Sequence, residues 1–174
     1  MEDDPALMNH YLHFLSTGKI ASKAPIINDQ DEAAANDEEG MLLVHLYILG
    51  DKYKDIHFKN AIISAVVEKA TEQISAGNIW FLGGKEIDVL YEKTSPGAAL
   101  RRLVVDMWAS EGEDDWAGQD LYNTDFLRDL AEVLLLCKDG LGDVQAWRNA
   151  ADYYESDQPA QAGADGQETT LVMR

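Results

Sequence analysis

Ser16 and Lys19 stand three positions apart, which on a helix places an amine one turn from a hydroxyl, the Ser-x-x-Lys arrangement of a nucleophile beside its base. Gly18 lies inside that pair at an expected helix end, and the Ser-Asp-Asn and Lys-Thr-Gly partners of such a site occur nowhere in the chain. The pair reads as a polar turn, and a small acidic hydrolase using Ser16 and Lys19 is kept only as an alternative. Thr17-Gly18-Lys19 and Gly83-Gly84-Lys85 each match a piece of a phosphate loop, but Ile20 and Glu86 follow the lysines where a magnesium-binding hydroxyl belongs. His10 and His13 share one helix turn and could offer two imidazoles to a divalent ion, yet no third ligand is identifiable. In Asp29-Gln30-Asp31-Glu32-Ala33, alanine occupies the third ligand position of an EF-hand, and Gly40 stands where its closing glutamate belongs. Asp114 and Asp115 are adjacent in a charged stretch, so no difference in environment sets them up as acid and base. Cys137 lies on an apolar helix side without a nearby cation, and His45 interrupts an apolar run; both read as packing residues. The expectation is a chain with no catalytic residues, no metal and no cofactor: not an enzyme.

The elements that carry these residues are read from apolar spacings of three and four, which recur along most of the chain and give an all-α fold, an irregular bundle of about six or seven helices with acidic loops. Asp4-Pro5 opens a helix with Leu7, Met8, Tyr11, Leu12 and Leu15 on one face and Gly18 at its end. Acidic residues without compensating cations make about Ser22 to Asn36 an exposed loop. Met41 to Leu49 is apolar nearly all round, the pattern of a central helix, with Gly50 expected to close it. Phe58, Ala61, Ile62, Ala65 and Val66 mark the clearest amphipathic helix. A short helix through Ile87, Leu90 and Tyr91 follows, then one after Thr94-Ser95-Pro96 that buries Leu100, Leu103, Val104, Met107 and Trp108. Beyond a second acidic loop, Thr124 or Asp125 caps a helix burying Phe126, Leu127, Leu130, Leu134 and Cys137, and Asp143 caps a last one with Val144, Trp147, Ala151 and Tyr154. The expected organisation is a helical domain over residues 1–155 and a flexible tail over 156–174.

Thirty-two acidic against 14 basic side chains leave the 174-residue chain at −18, a field that repels phosphate backbones and anionic headgroups and argues against nucleic acid or membrane as partner. A single cysteine and the absence of a signal-like start in this sequence point to an intracellular protein, cytoplasmic or nuclear. The same charge supports a further alternative, an acidic charge-mimic effector that competes for basic surfaces.

Phe14-Leu15-Ser16-Thr17-Gly18-Lys19-Ile20 resembles the end of a BTB/POZ domain, where a helix closes in a Tyr-Thr-Gly type of turn, with Ser16 in the place of the usual tyrosine. Leu46 to Tyr53, Asp55 and Phe58 to Ile62 resemble the helical pair that follows in fungal BTB-domain proteins, and Thr94 to Gly97 with Arg101 to Trp108 are similar to a later helix of that group. On this resemblance residues 3–75 correspond to the last helices of a BTB domain and 79–155 to a helical extension, while the family's first half has no counterpart in the chain. The resemblance implies a non-enzymatic protein–protein interaction module, with self-association or a cullin-type ubiquitin ligase scaffold as partner. It carries Tyr11, Phe14, Leu15, Thr17, Gly18 and Lys19 over as partner-binding positions. Without the first half, some of Leu42, Leu43, Leu46 or Tyr47 are expected to lie uncovered unless 60–67 and 100–108 close over them.

Overall fold

The computed structural model describes residues 4–22, 32–75, 77, 80–111, 123–139 and 147–156. Its elements are α1 (Pro5–Thr17), α2 (Glu32–Tyr53), α3 (Ile56–Ser75), α4 (Gly84–Lys93), α5 (Ala99–Glu111), α6 (Thr124–Lys138) and a 3₁₀ turn (Ala150–Tyr153). Among the described residues there is no strand, so the architecture is all-α. Most of the second acidic loop and the expected tail beyond Ser156 lie outside the described residues.

The Asp4 carboxylate caps α1 by accepting from the Ala6 N–H at 2.8 Å, and Pro5 fills the first helical position, where its missing N–H costs nothing. Gly18, at φ +70°, ends the helix in a left-handed conformation and donates its N–H to the Phe14 carbonyl. The expected loop from Ser22 to Asn36 is shorter than its composition implied. Residues 23–31 lie outside the described residues, and 32–36 are already the first turn of α2. Alanine is the best helix former, so Ala33 to Ala35 let an acidic stretch with nothing to bury still coil.

Gly50 does not close α2 either; the helix continues to Tyr53, and Lys54 at φ +56° makes the turn. What Gly50 provides is proximity. A Cβ there would meet Lys59 Cγ at 2.8 Å and Phe58 Cδ1 at 3.1 Å, so the glycine lets α3 approach α2 closely. Asp55 then caps α3, accepting from the Phe58 N–H at 2.9 Å.

The core forms around α2, which packs against α1, α3 and α4, while α5 joins α3, α6 and the 3₁₀ turn. Leu43, Leu46 and Tyr47 of α2 are fully buried, as are Phe58, Ile62, Ile63 and Val66 of α3 and Leu100 and Leu103 of α5. Each such side chain contributes about 1.5 to 3 kcal/mol by leaving water. The expectation of uncovered apolar residues on α2 is therefore not met, because α3 and α4 pack over them, with Leu100 of α5 reaching the Tyr47 hydroxyl, and Leu42 remains half-buried. Exposed apolar area appears elsewhere. Leu12 and Leu15 of α1 face solvent, and α6 buries Phe126 alone, with Leu127 and Leu134, which the periodicity placed inside, turned outward. Asn123, rather than Thr124 or Asp125, caps α6, accepting from the Asp125 and Phe126 N–H groups. Of the expected last helix, Asp143 and Val144 lie outside the described residues, and Ala150–Tyr153 is a 3₁₀ turn capped by Asn149.

Of the charged side chains buried in the interior, Arg101 and Lys69 are the least exposed, and each is surrounded by partners. The Arg101 guanidinium, 4% exposed, donates to the Tyr91 carbonyl at 2.6 Å, to Thr94 Oγ1 at 2.8 Å and to the Thr94 carbonyl, and lies 4.2 Å from the Tyr91 ring centre. It thereby satisfies carbonyls that the end of α4 leaves open. The Lys69 ammonium pairs with the Glu39 carboxylate, donates to Asn36 Oδ1 at 3.0 Å and stands 4.6 Å from the Trp80 ring centre.

Candidate interaction surfaces

The positions Tyr11, Phe14, Leu15, Thr17, Gly18 and Lys19 all fall on the second half of α1 and its closing turn, but they do not share a face. Tyr11 and Phe14 point into the molecule. The Tyr11 ring stacks on Tyr53 at 5.4 Å and tilts against Phe58 at 4.8 Å, its hydroxyl donates to Asp55 Oδ2 at 3.0 Å, and Phe14 meets Phe58 at 4.9 Å. Burial, together with the Asp55 carboxylate, pushes the Tyr11 phenol above the ordinary tyrosine value. These two rings anchor α1 to the α2–α3 corner. Leu15, 58% exposed, is with Leu12 the apolar group this helix presents to solvent.

Thr17, Gly18 and Lys19 build the helix end. Thr17 Oγ1 donates to the His13 carbonyl at 2.8 Å and accepts from the Lys19 N–H at 3.2 Å, and His13 Nδ1 lies 3.3 Å from the Lys19 carbonyl. Ser16 Oγ donates to the same His13 carbonyl at 2.8 Å, so the hydroxyl is turned back on its own helix. His13 is thus part of this cap, while His10 is half-buried; among the described residues no three His, Cys, Asp or Glu side chains converge as a metal-ligand group. Behind the turn lies an open cleft of about 610 Å³, lined by Lys19, Ile20, Ser22, Ala61, Ser64 and Lys69 among others. Its polar floor is closed on itself, because Glu39 takes both Lys69 and the Ser22 hydroxyl, the latter at 2.6 Å.

The outer side of α6 was not identified from sequence. Leu127, Leu134, Leu135 and Leu136 are each between 47% and 62% exposed, whereas Leu130, Val133 and Cys137 are half-buried toward α4 and α5. A signal existed: Val133 to Cys137 is a run of consecutive apolar residues, which at about 100° per residue wraps the whole helix and cannot be covered from one side. Of these leucines Leu136 lines a second groove of about 360 Å³ between α5 and α6, with Val105, Val133 and Tyr153 as further apolar members, Asp106, Asp129 and Glu132 as acidic ones and Arg101 and Arg102 as basic ones. Asp129 accepts from the Tyr91 hydroxyl at 2.9 Å, and Asp106 accepts from the Tyr153 hydroxyl. Burial raises the Asp106 carboxyl above the usual aspartate value, against the opposing pull of Tyr153 and Arg102.

Among the described residues, exposed leucines gather on α1 and α6, in a chain of net charge −18. No helix among the described residues is long and apolar enough to cross a membrane. In comparison with known proteins, the chain matches no family model, no curated protein sequence and no solved structure.

Proposed function

We propose that this chain is a non-enzymatic protein–protein interaction module and that its principal contact surface is the outer face of α6. The supporting observation is that Leu127 and Leu134, two turns apart on one edge of α6, are 47% and 48% exposed, with Leu135 beside them at 62% and Leu136 on the far edge at 49%. Contiguous apolar area of more than a few hundred Å² is uncommon on a monomer and marks contact sites. Asp125, Asp129 and Glu132 stand on the edge of α6 that carries Leu136, where Arg101 and Arg102 line the same groove, so a partner with an apolar, leucine-receiving groove fits this surface. The resemblance to BTB/POZ proteins adds two specific partners to this reading, a second copy of the chain and a cullin-type ubiquitin ligase scaffold, the latter approached through Leu15 and Lys19.

Light scattering over a concentration series, with hydrophobic-dye binding, tests the surface in wild type and in L127E/L134E. The expected result is dye binding and concentration-dependent mass in the wild type, both lost in the variant. A wild type that stays monomeric, binds no dye and ignores a purified cullin scaffold refutes the reading. Binding to basic proteins that vanishes with salt and survives L127E/L134E would establish the charge-mimic alternative instead.

A further inference from the structure

The segment Asn149 to Ser156 lies against α3 and α5 as a peptide lies in a receptor. It contains only one 3₁₀ turn, and Tyr154 leaves that turn in an extended conformation at φ −65° and ψ 135°. Asn60 of α3 then clamps the main chain of Glu155 at two points: its Oδ1 accepts the Glu155 N–H at 2.8 Å and its Nδ2 donates to the Glu155 carbonyl at 3.0 Å. A side-chain amide facing an extended backbone in this way reads the chain independently of sequence, as a neighbouring strand would.

Three side chains are read as well. Tyr153 is buried and places its hydroxyl on Asp106, with Arg102 5.9 Å from its ring centre. The Tyr154 hydroxyl meets Ser64 Oγ, one turn beyond Asn60, at 2.6 Å. The Glu155 carboxylate takes Lys59 Nζ at 2.6 Å on one oxygen and the Tyr47 hydroxyl at 2.6 Å on the other. Lys59 is itself positioned by Asp51 at 2.9 Å, and its ammonium stands 4.9 Å from the Tyr47 ring centre. A tyrosine at the end of a 3₁₀ turn and an acid two residues later are thus matched point by point by groups on α2, α3 and α5.

We propose that this channel is an acceptor site for a Tyr-x-Glu segment of another polypeptide, its tyrosine closing a 3₁₀ turn and the chain leaving that turn extended, occupied in this structure by the chain's own Tyr153-Tyr154-Glu155. The occupant shows the chemistry of the ligand: a tyrosine reaching a carboxylate, then a glutamate reaching a lysine and a tyrosine hydroxyl. The segment in place competes with any such ligand, so the site opens only as far as its own segment leaves it. This inference does not depend on the leucines of α6.

The probe is a labelled peptide of residues 149–156, Asn-Ala-Ala-Asp-Tyr-Tyr-Glu-Ser, titrated by fluorescence anisotropy against the full chain. In the Y153A/E155A variant the chain's own segment is disabled, and saturable binding is expected at a peptide concentration at least about tenfold below that needed for wild type. Adding Asn60→Ala to that variant, or changing the peptide's tyrosine and glutamate to Phe and Gln at the positions of Tyr153 and Glu155, is expected to abolish it. A folded Y153A/E155A protein that does not bind, or that binds equally well with Asn60→Ala, overturns the proposal. Hydrogen exchange on the wild type covers the case in which the variant does not fold. Excess peptide is expected to speed exchange of the Glu155 amide, which Asn60 protects; unchanged exchange at saturating peptide overturns the proposal as well.

Discussion

Helices α3 and α6 carry similar densities of apolar residues and have opposite fates. On α3 the apolar stripe of Phe58, Ile62, Ile63 and Val66 is covered from two sides by α2 and α5, and its polar residues are recruited too: Lys59, Asn60 and Lys69 each hold a partner from a distant segment. On α6 the only fully buried side chain is Phe126, and its leucines outnumber the neighbours available to receive them. The difference lies in supply rather than pattern. An amphipathic period states which residues can be buried together, and the count of surrounding elements decides how many are.

The comparison breaks most visibly at the ion pair behind α3. Glu39→Ala strands the Lys69 ammonium, 4% exposed, without its carboxylate, and a loss of about 3 to 5 kcal/mol is expected in urea unfolding. A loss below about 1 kcal/mol would show that the pair is solvated in a way its burial does not reveal. Ile62→Ala comes next, at about 2 to 5 kcal/mol for a fully buried side chain, measured as the same shift in midpoint.

Acidity probes the polar side of the contrast. Burial alone would raise the Glu155 and Asp51 carboxyls, but Lys59, with Tyr47 on the one and Lys54 on the other, outweighs it and holds both below the usual carboxylate range. A carboxyl whose folded value is depressed contributes stability above its unfolded value, and that contribution disappears as pH falls through the folded value. The unfolding temperature is therefore expected to decline below about pH 4.3, with a smaller acid decline in E155Q. Burial, reinforced by Glu155, Asp129 and Asp106 respectively, raises the phenols of Tyr47, Tyr91 and Tyr153. Raised groups stabilise while protonated, so a second decline is expected above about pH 10, and it should persist in E155Q. Thermal scans at fixed ionic strength check both limbs.

Leu134→Ala on the outer face of α6 is the smallest effect, expected within about 0.5 kcal/mol of wild type. A cost comparable to Ile62→Ala would mean that α6 is covered in solution and that the contrast with α3 is false.

Much of this was legible in the chain. The stripe of α3, the buried face of α5 and the Asp4-Pro5 start of α1 follow from spacing and capping chemistry that act within a few residues. The first turn of α2 was hidden because acidity resembles a loop when the propensity of Ala33 to Ala35 is discounted. Gly50 resembled a stop, because the need for a close approach to Phe58 and Lys59 is a property of two helices, not of one. Of the surface residues carried by resemblance, Tyr11 and Phe14 turned inward for the same reason: their partners Tyr53 and Phe58 are more than forty positions away in sequence. The Glu155 clamp, at separations of 95 to 108 residues, leaves no local trace at all.

The Arg101 staple has a consequence in time. Its contacts to Tyr91 and Thr94 close loops of only 7 to 10 residues, and a loop of about ten residues closes in roughly 10 to 100 ns. The Glu155 clamp must instead close loops of 95 to 108 residues, at greater entropic cost. The junction between α4 and α5 is therefore the place for an early nucleus and the segment 149–156 the place for a late event. In a chevron plot Arg101→Lys should slow refolding, because the planar guanidinium is what spans several carbonyls at once, whereas E155Q should leave refolding intact and hasten unfolding.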